Sequence, residues 1–245
     1  MLKIFNCDLH VHTCLSPCGD WDMHPRAIVE KALACRLDVV AICDHNASEN
    51  VPYVIKAARG KNLKIIPGME ITSSEEVHLV ALFESLSDLF AVQETVYRHL
   101  TGENDENRFG VQAIVNESGE VEGLNNQLLI GATDLPLNEI LDLVHEQNGL
   151  AIASHIDRES FSVLSQLGFI DESFDFDALE ISALLNLKQA REKYASLNRY
   201  AFVTSSDAHY LKDIGRVFTK IMMAEPSLAE LRMAFHRHEG RHIVE

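Results

Sequence analysis

Short apolar runs alternate along this chain with segments of helical period, and that alternation restricts the fold more than any other feature. Ile4–Cys7, Val39–Cys43, Leu63–Ile66, Leu79–Phe83, Leu150–Ala153, Ala178–Ile181 and Phe202–Thr204 read as strands, being short, apolar and mostly rich in branched residues. Between them Pro25–Ala34, Pro52–Arg59, Leu86–Leu100, Leu137–Glu146, Phe161–Leu167 and Leu187–Leu197 read as helices, with Pro25 suited to a first helical turn. Ser227–Phe235 reads as a closing helix capped by Ser227. The class is therefore α/β. Seven strand candidates come near the number that closes a barrel, and barrels of this kind reach 245 residues as one unit, so a single domain over residues 1–245 is expected.

Only Gly102–Gly131 breaks the rhythm. It is polar, rich in Asn, Glu and Gly, and carries one hairpin signal at Ser118-Gly119. It reads as an inserted excursion, either a lid or a partner-docking element. Hydrophobic residues at 47% and charged residues at 24% fit a globular enzyme with a sizeable core. No apolar run reaches membrane-spanning length and no charged-then-apolar leader precedes Ile4-Phe5, so no membrane association and a cytoplasmic location are expected. All five cysteines fall within the first 43 residues, an odd number without a second cluster, which favours reduced thiols. Cys14 and Cys18 lack the second pair that a structural zinc site would need. A net charge of −16 argues against broad nucleic-acid binding, although bound divalent cations would leave room for an anionic substrate.

The chemistry gathers at strand ends. Asp8-Leu9-His10-Val11-His12 follows the first strand, and residues two apart on a strand share a face, so His10 and His12 can grip one ion. Asp44-His45 ends the second strand, Pro67-Gly68-Met69-Glu70 the third, Ser154-His155 a later one, and Ser206-Asp207-Ala208-His209 follows the last. All carry metal-ligand types, and in an α/β barrel the loops at the carboxyl ends of the strands meet at one mouth. His78 fits this less neatly, because it precedes an apolar run instead of following one.

These segments, in this order along nearly the whole chain, resemble the PHP (polymerase and histidinol phosphatase) superfamily of metal-dependent phosphoesterases: His10-Val11-His12, Asp44-His45, Pro67-Gly68-Met69-Glu70, His78, His155 and Asp207-Ala208-His209. The resemblance implies a distorted (β/α)7 TIM-like barrel with the excursion near residues 102–131. It also implies two or three divalent metal ions, whether Zn, Mn or Fe. By that pattern a first metal takes His10, His12, Glu70 and Asp207, and a second shares Glu70 and adds His78 and His155. A third takes His45, His209 and an acid near residue 20. Here the chain departs from the family, with Ser16-Pro17-Cys18-Gly19-Asp20-Trp21-Asp22 carrying a short insertion. Counting back from Pro25 makes Asp20 the better match, with Asp22 and, more remotely, Cys18 as alternatives.

Around the ligands, Asp44 is expected to accept a ligand histidine's other N–H, and Asp8 either to do the same or to cap a turn. Arg158 is expected to hold phosphate oxygens, the alternative being a surface pair with Glu159 or Asp157. Glu180 either faces the mouth or is a plain strand-end carboxylate. His236, His238 and His242 read as a solvated helix end. The expected function is hydrolysis of a phosphomonoester of a small metabolite or nucleotide, with a metal-bridging hydroxide as nucleophile and Asp44 and Arg158 assisting. The alternatives are an exonuclease-like activity on short nucleic acids and a metal-binding accessory module without turnover; no protein partner is named by the sequence.

Overall fold

The computed structural model describes residues 1–244. In chain order its elements are β1 (Lys3–Val11), α1 (Pro25–Ala34), β2 (Val39–Ile42), α2 (Val51–Ala57), β3 (Lys64–Thr72), β4 (His78–Leu82), α3 (Leu86–His99), α4 (Glu106–Phe109), β5 (Ala113–Val115) and β6 (Val121–Leu124). There follow α5 (Leu137–Glu146), β7 (Leu150–Ala153), α6 (Val163–Leu167), β8 (Ala178–Ile181), α7 (Leu187–Lys193), β9 (Ala201–Thr204), β10 (Thr219–Met223), α8 (Leu228–Phe235) and β11 (His242–Val244). The seven expected strands are all present. β10 was not foreseen, although Thr219, Ile221 and Met223 are buried and Lys220 exposed, the alternation of a strand with one wet face. Three-residue β11 is too short to leave a signal.

The main sheet has the order β11-β10-β1-β2-β3-β4-β7-β8-β9. β1, β2 and β3 run parallel, as do β7, β8 and β9, whereas β4 lies antiparallel to both β3 and β7. Beyond the end of β9, Ala208 bridges Val11 of β1, so the sheet nearly closes into a barrel. Reversal of β4 is the main departure from repeated strand-helix units: β3 and β4 form a hairpin with no helix between them.

Two apolar layers follow from strand alternation. Val39, Ala41, Ile66, Val80, Leu82, Ile152, Ala178 and Val203 fill the barrel interior, and Leu231 and Phe235 of α8 join that cluster. The opposite faces of the same strands, such as Val40, Ile65 and Leu79, pack with Ile28, Val54, Val92 and Ile140 of the surrounding helices. β1 carries a register shift between Asp8 and Val11. Phe5, Cys7 and Leu9 belong to the interior and Val11 to the outer layer, so the irregularity reverses the parity of the strand. That reversal lets His10 and His12 project inward, since a one-residue shift exchanges the two faces.

Residues 102–131 form an anchored excursion containing α4 and the β5–β6 hairpin, which falls around Ser118-Gly119 as expected. Buried Asn46 donates to the carbonyls of Leu129 and Gly131 and accepts from Thr72 N. Buried Asn50 donates to Thr13 Oγ1 and the Ala113 carbonyl and accepts from Val115 N. Replacing Asn50 with Ala would leave the Val115 N–H and Ala113 C=O short of partners at a cost of about 1–3 kcal/mol. Asn50→Ala should therefore raise amide exchange across 113–115 well before the barrel strands respond; uniform exchange would refute the anchor.

At the amino ends of the parallel strands, the Asp177 carboxylate accepts from Ala151 N and pairs with His145 Nε2 at 3.1 Å and Arg232 Nη1 at 3.3 Å. The bond to Asp177 raises the His145 pKa above its ordinary value, with partial burial opposing. A histidine raised in the folded state contributes stability that is complete below its unfolded pKa, near pH ~6.5, and lost as pH rises through the folded pKa. The melting-temperature gap between the wild type and His145→Gln should accordingly be widest below that pH and narrow above it. A gap independent of pH would contradict the pairing.

Candidate metal centre

The barrel mouth collects the strand-end side chains. His10 projects from the end of β1 and His12 lies just after it, His45 follows β2, Glu70 lies near the end of β3, and His155, Asp207 and His209 follow β7 and β9. His78 opens β4 instead of ending it. Because β4 runs antiparallel, its first residue lies at the same end as the last residues of the parallel strands, and His78 pairs in register with Thr72 of β3. The position that looked anomalous in the sequence is thus set by strand direction.

Glu70 stands at the centre, almost wholly buried. Its Oε1 lies 3.3 Å from His10 Nε2, 3.1 Å from His78 Nδ1 and 3.5 Å from His155 Nε2. Its Oε2 lies 3.4 Å from His12 Nε2 and 3.1 Å from His45 Nδ1. Asp207 Oδ1 lies 3.1 Å from His12 Nε2, 3.5 Å from His10 Nε2 and 3.6 Å from His209 Nδ1. Three trios have donor atoms within 4.8 Å of one another: His10, His12 and Glu70; His45, Glu70 and His78; and His12, His45 and His209. Every expected ligand except Asp20 joins this assembly. Asp20 sits in the turn before α1, where its carboxylate accepts from Asp22 N and its own N–H donates to the His209 carbonyl.

Burial alone would raise the Glu70 carboxyl, but His78 and His10 hold it well below the usual carboxylate range. Asp207 is likewise held down, against burial, by His10 and His12. Burial and the neighbouring His209 push His12 well below its ordinary value, leaving it neutral with a ring lone pair to offer. His78 is lowered too, by burial against the pull of Glu70. Ionised Glu70 and Asp207 beside neutral His12 and His78 are donors suited to divalent cations.

Outer partners fix the rings. His10 Nδ1 lies 3.0 Å from Glu180 Oε2, which also accepts from His155 N, so Glu180 faces the mouth. His12 Nδ1 lies 2.9 Å from Ser16 Oγ, whose hydroxyl donates to Asp44 Oδ1 at 2.7 Å. These contacts orient the rings, with Nδ1 of each facing an acceptor and Nε2 facing inward; against burial, Glu70, Glu180 and Asp207 hold His10 well above its ordinary value, so an ion at its Nε2 would displace a proton. Asp44 also accepts from Thr13 N and Oγ1 and reaches His12 through Ser16; the Nδ1 of adjacent His45 faces Glu70. Ser16 left no signal of its own in the sequence. Asp8 accepts from Ser206 N and Gly215 N, the turn-capping arrangement.

His155 and Asp207 turn their side chains inward from left-handed backbone, with φ of 29° and 48°. Non-glycine residues held there cost about 1–3 kcal/mol each and are concentrated at functional sites. Arg158 pairs with Asp207 at 2.7 Å instead of with Glu159 or Asp157, and its side chain lines the cavity. That cavity, of about 170 Å³, is bounded by His45, Glu70, His78, His155, Asp207 and His209, with Ile130 of the excursion and Phe161 at its rim. Phe161 stacks on His78 with ring centroids 4.6 Å apart. Cys14 is buried against the excursion, whereas Cys18 is exposed. His236, His238 and His242 are outside the three trios, and the side chains of His236 and His238 are largely exposed.

Glu70 Oε1, His78 Nδ1 and His155 Nδ1 are buried without a hydrogen-bond partner. Buried polar groups rarely stay unpaired, and two carboxylates among imidazoles with inward ring nitrogens fit divalent cations. A barrel whose mouth bears such a cluster belongs to the class of metal-dependent hydrolases.

Comparison with known proteins gives the family. The chain matches the PHP domain family over residues 8–211 and the PHP-associated family over residues 187–239. An uncharacterised protein of Methanocaldococcus jannaschii is 26% identical over 225 residues, covering 87% of this chain and 69% of that protein. The 5'-3' exoribonuclease Rnm of Salmonella typhimurium is 34% identical over 80 residues, which is 31% of this chain and 26% of the exoribonuclease. Among solved structures, the lesion-specific endonuclease EndoQ of Pyrococcus furiosus superimposes with a TM-score of 0.75 at 19% identity, over 98% of this chain and 58% of that one. This chain belongs to the PHP domain family, and so to the metal-dependent hydrolases of phosphoric esters. It spans only about a quarter of the exoribonuclease's length and little more than half of the endonuclease's.

Removing the carboxylate charge behind a ligand histidine typically lowers metal affinity about 10–100-fold. Glu180→Gln, which keeps the side chain's shape, should show that loss in a calorimetric metal titration while folding normally. Undiminished affinity would mean that Glu180 does not support His10.

Proposed function

We propose that this chain hydrolyses the terminal phosphomonoester of a nucleotide at the barrel mouth. His10, His12, Glu70 and Asp207 would hold one divalent ion, Glu70, His78 and His155 a second, and His45 with His209 a third. Bound ions of this kind screen phosphate charge and lower the pKa of a coordinated water from 15.7 toward about 7. The rest falls to the chain. Glu70 and Asp207 remain ionised, while neutral His12 and His78 offer lone pairs. Glu180 and the Ser16–Asp44 pair keep His10 and His12 in the ligating orientation. Arg158, at the cavity edge, exchanges its contact with Asp207 for two phosphate oxygens, the planar fork suiting that geometry.

The observation that carries the nucleotide reading is the rim. Phe161 is 41% exposed while stacked on His78, and Ile130 is 39% exposed beside the same cavity, which gives an apolar, partly aromatic surface next to a polar floor. A base can stack there at a gain of about 1–3 kcal/mol. The small cavity and the charge of −16 favour a short substrate over a long polyanion. A second reading, stepwise removal of nucleotides from short strands, is favoured by the similarity of an 80-residue stretch to an exoribonuclease.

Phosphate release from a nucleotide panel, a nitrophenyl phosphate and a short oligonucleotide separates the readings. The leading one expects release from nucleotides, abolished by Glu70→Ala, and a KM about 10-fold higher for nucleotides alone in Phe161→Ala, equivalent to about 1.4 kcal/mol. Nucleotide products from the oligonucleotide would favour the second reading. Silence on all three, with metal bound, would leave an accessory module.

A further inference from the structure

We propose that Asp157 is a positioning residue that aims Arg158 at the phosphate, both by anchoring the loop after β7 and by keeping its own carboxylate away from the guanidinium. The proposal rests on the reading of Arg158 given above and adds the device that directs it. Asp157 lies outside the cavity wall and outside the three trios, so its effect runs through its neighbour.

The loop from residue 155 to residue 162 brings three groups to the mouth, His155, Arg158 and the ring of Phe161. His155 and Phe161 both have left-handed backbone, with φ of 29° and 56°. Such residues persist only where the contacts around them over-determine the backbone. At its start the loop is stitched to β8. The register of β7 and β8 pairs Ala153 with Leu179, and beyond it His155 N donates to Glu180 Oε2 and Ile156 N to the Glu180 carbonyl. Buried Ser182 then donates to Asp157 twice, from its N–H to Oδ1 and from its hydroxyl to Oδ2, both at 2.7 Å. At the far end Ser162 Oγ donates to the Arg158 carbonyl at 2.8 Å, and His78 N donates to the Phe161 carbonyl at 2.9 Å. Arg158 therefore leaves from backbone that is held on both sides.

The other half of the device is electrostatic. An arginine that follows an aspartate has a carboxylate within easy reach, and a local pair of that kind would draw the guanidinium out of the mouth. Here both Asp157 oxygens are engaged by the Ser182 donors, and Arg158 Nη1 instead meets Asp207 Oδ2 at 2.7 Å. With its nearest competitor occupied, the planar fork stays available for phosphate oxygens.

Calorimetric titration of the zinc-loaded full chain with inorganic phosphate tests this, with zinc content measured on the same samples. Asp157→Ala should weaken phosphate binding about 10-fold, the loss of one hydrogen bond to a charged group. Its zinc content should stay native, because His155 N and Ile156 N keep their own bonds to β8. Asp157→Asn, which can still bond both Ser182 groups, should bind phosphate as the native chain does. Ser182→Ala, which frees an Asp157 oxygen beside Arg158, should weaken binding too. In an Arg158→Gln chain, adding Asp157→Ala should cause no further loss. Native affinity in Asp157→Ala or Ser182→Ala, an Asp157→Asn chain as weak as Asp157→Ala, zinc lost together with phosphate, or a further loss on top of Arg158→Gln overturns this inference and leaves the reading of Arg158 standing. Phosphate binding that is absent from the native chain, or indifferent to Arg158→Gln, overturns both.

Discussion

The structure turns on a single buried carboxylate. Glu70 lies among His10, His12, His45, His78 and His155, with both oxygens in reach of ring nitrogens. An isolated charge at that depth would be costly, and the surrounding imidazoles are what keep it ionised. The backbone is shaped to permit this. The register shift in β1 turns two histidines inward, and Gly68, whose Cβ would come 2.9 Å from the Cys43 sulfur and a Leu82 methyl, lets β3 lie close to its neighbours two residues before Glu70.

The apolar interior below the mouth has an electrostatic role as well. Ile66, Val80, Ile152, Ala178 and Val203 exclude water from beneath the cluster, and hydrogen bonds and ion pairs in such surroundings are stronger than in solvent. A network of this kind has to be nearly complete to be worth building. The supports behind it, Glu180 on His10 and Asp44 through Ser16 on His12, are buried too, so the rings are fixed before any substrate arrives.

Much of the fold could be read from the alternation of strands and helices, because parallel strands buried on both faces leave continuous apolar runs. The same runs located the mouth, since His45, Glu70, His155 and Asp207 each lie at or beyond a strand's carboxyl end. Strand direction was not legible. Leu79–Phe83 reads identically whether it runs with or against its neighbours, so His78 looked misplaced until β4 proved antiparallel. The hydroxyl relay of Ser16 escaped notice because serine in a turn has too many ordinary uses, and Glu180 stood open between the mouth and an ordinary strand end because an acid there is common in both roles. For the loop before α1, counting from Pro25 suggested Asp20, and what counting could not reveal is that its carboxylate accepts from Asp22 N while its own N–H bonds the His209 carbonyl.

The reversal of β4 also explains why the excursion sits over the mouth. Because β4 descends from the mouth, α3 has to climb back and α5 has to descend again before β7 can rise, so the connection between α3 and α5 is made at the substrate's end of the barrel. A bridge from Leu100 to Thr133 closes the base of that connection, and Asn46 and Asn50 fasten the segment between to the rim of the barrel. The doorway above the cluster is thus one contiguous stretch of chain, brought there by the direction of a single strand and held by two buried amides.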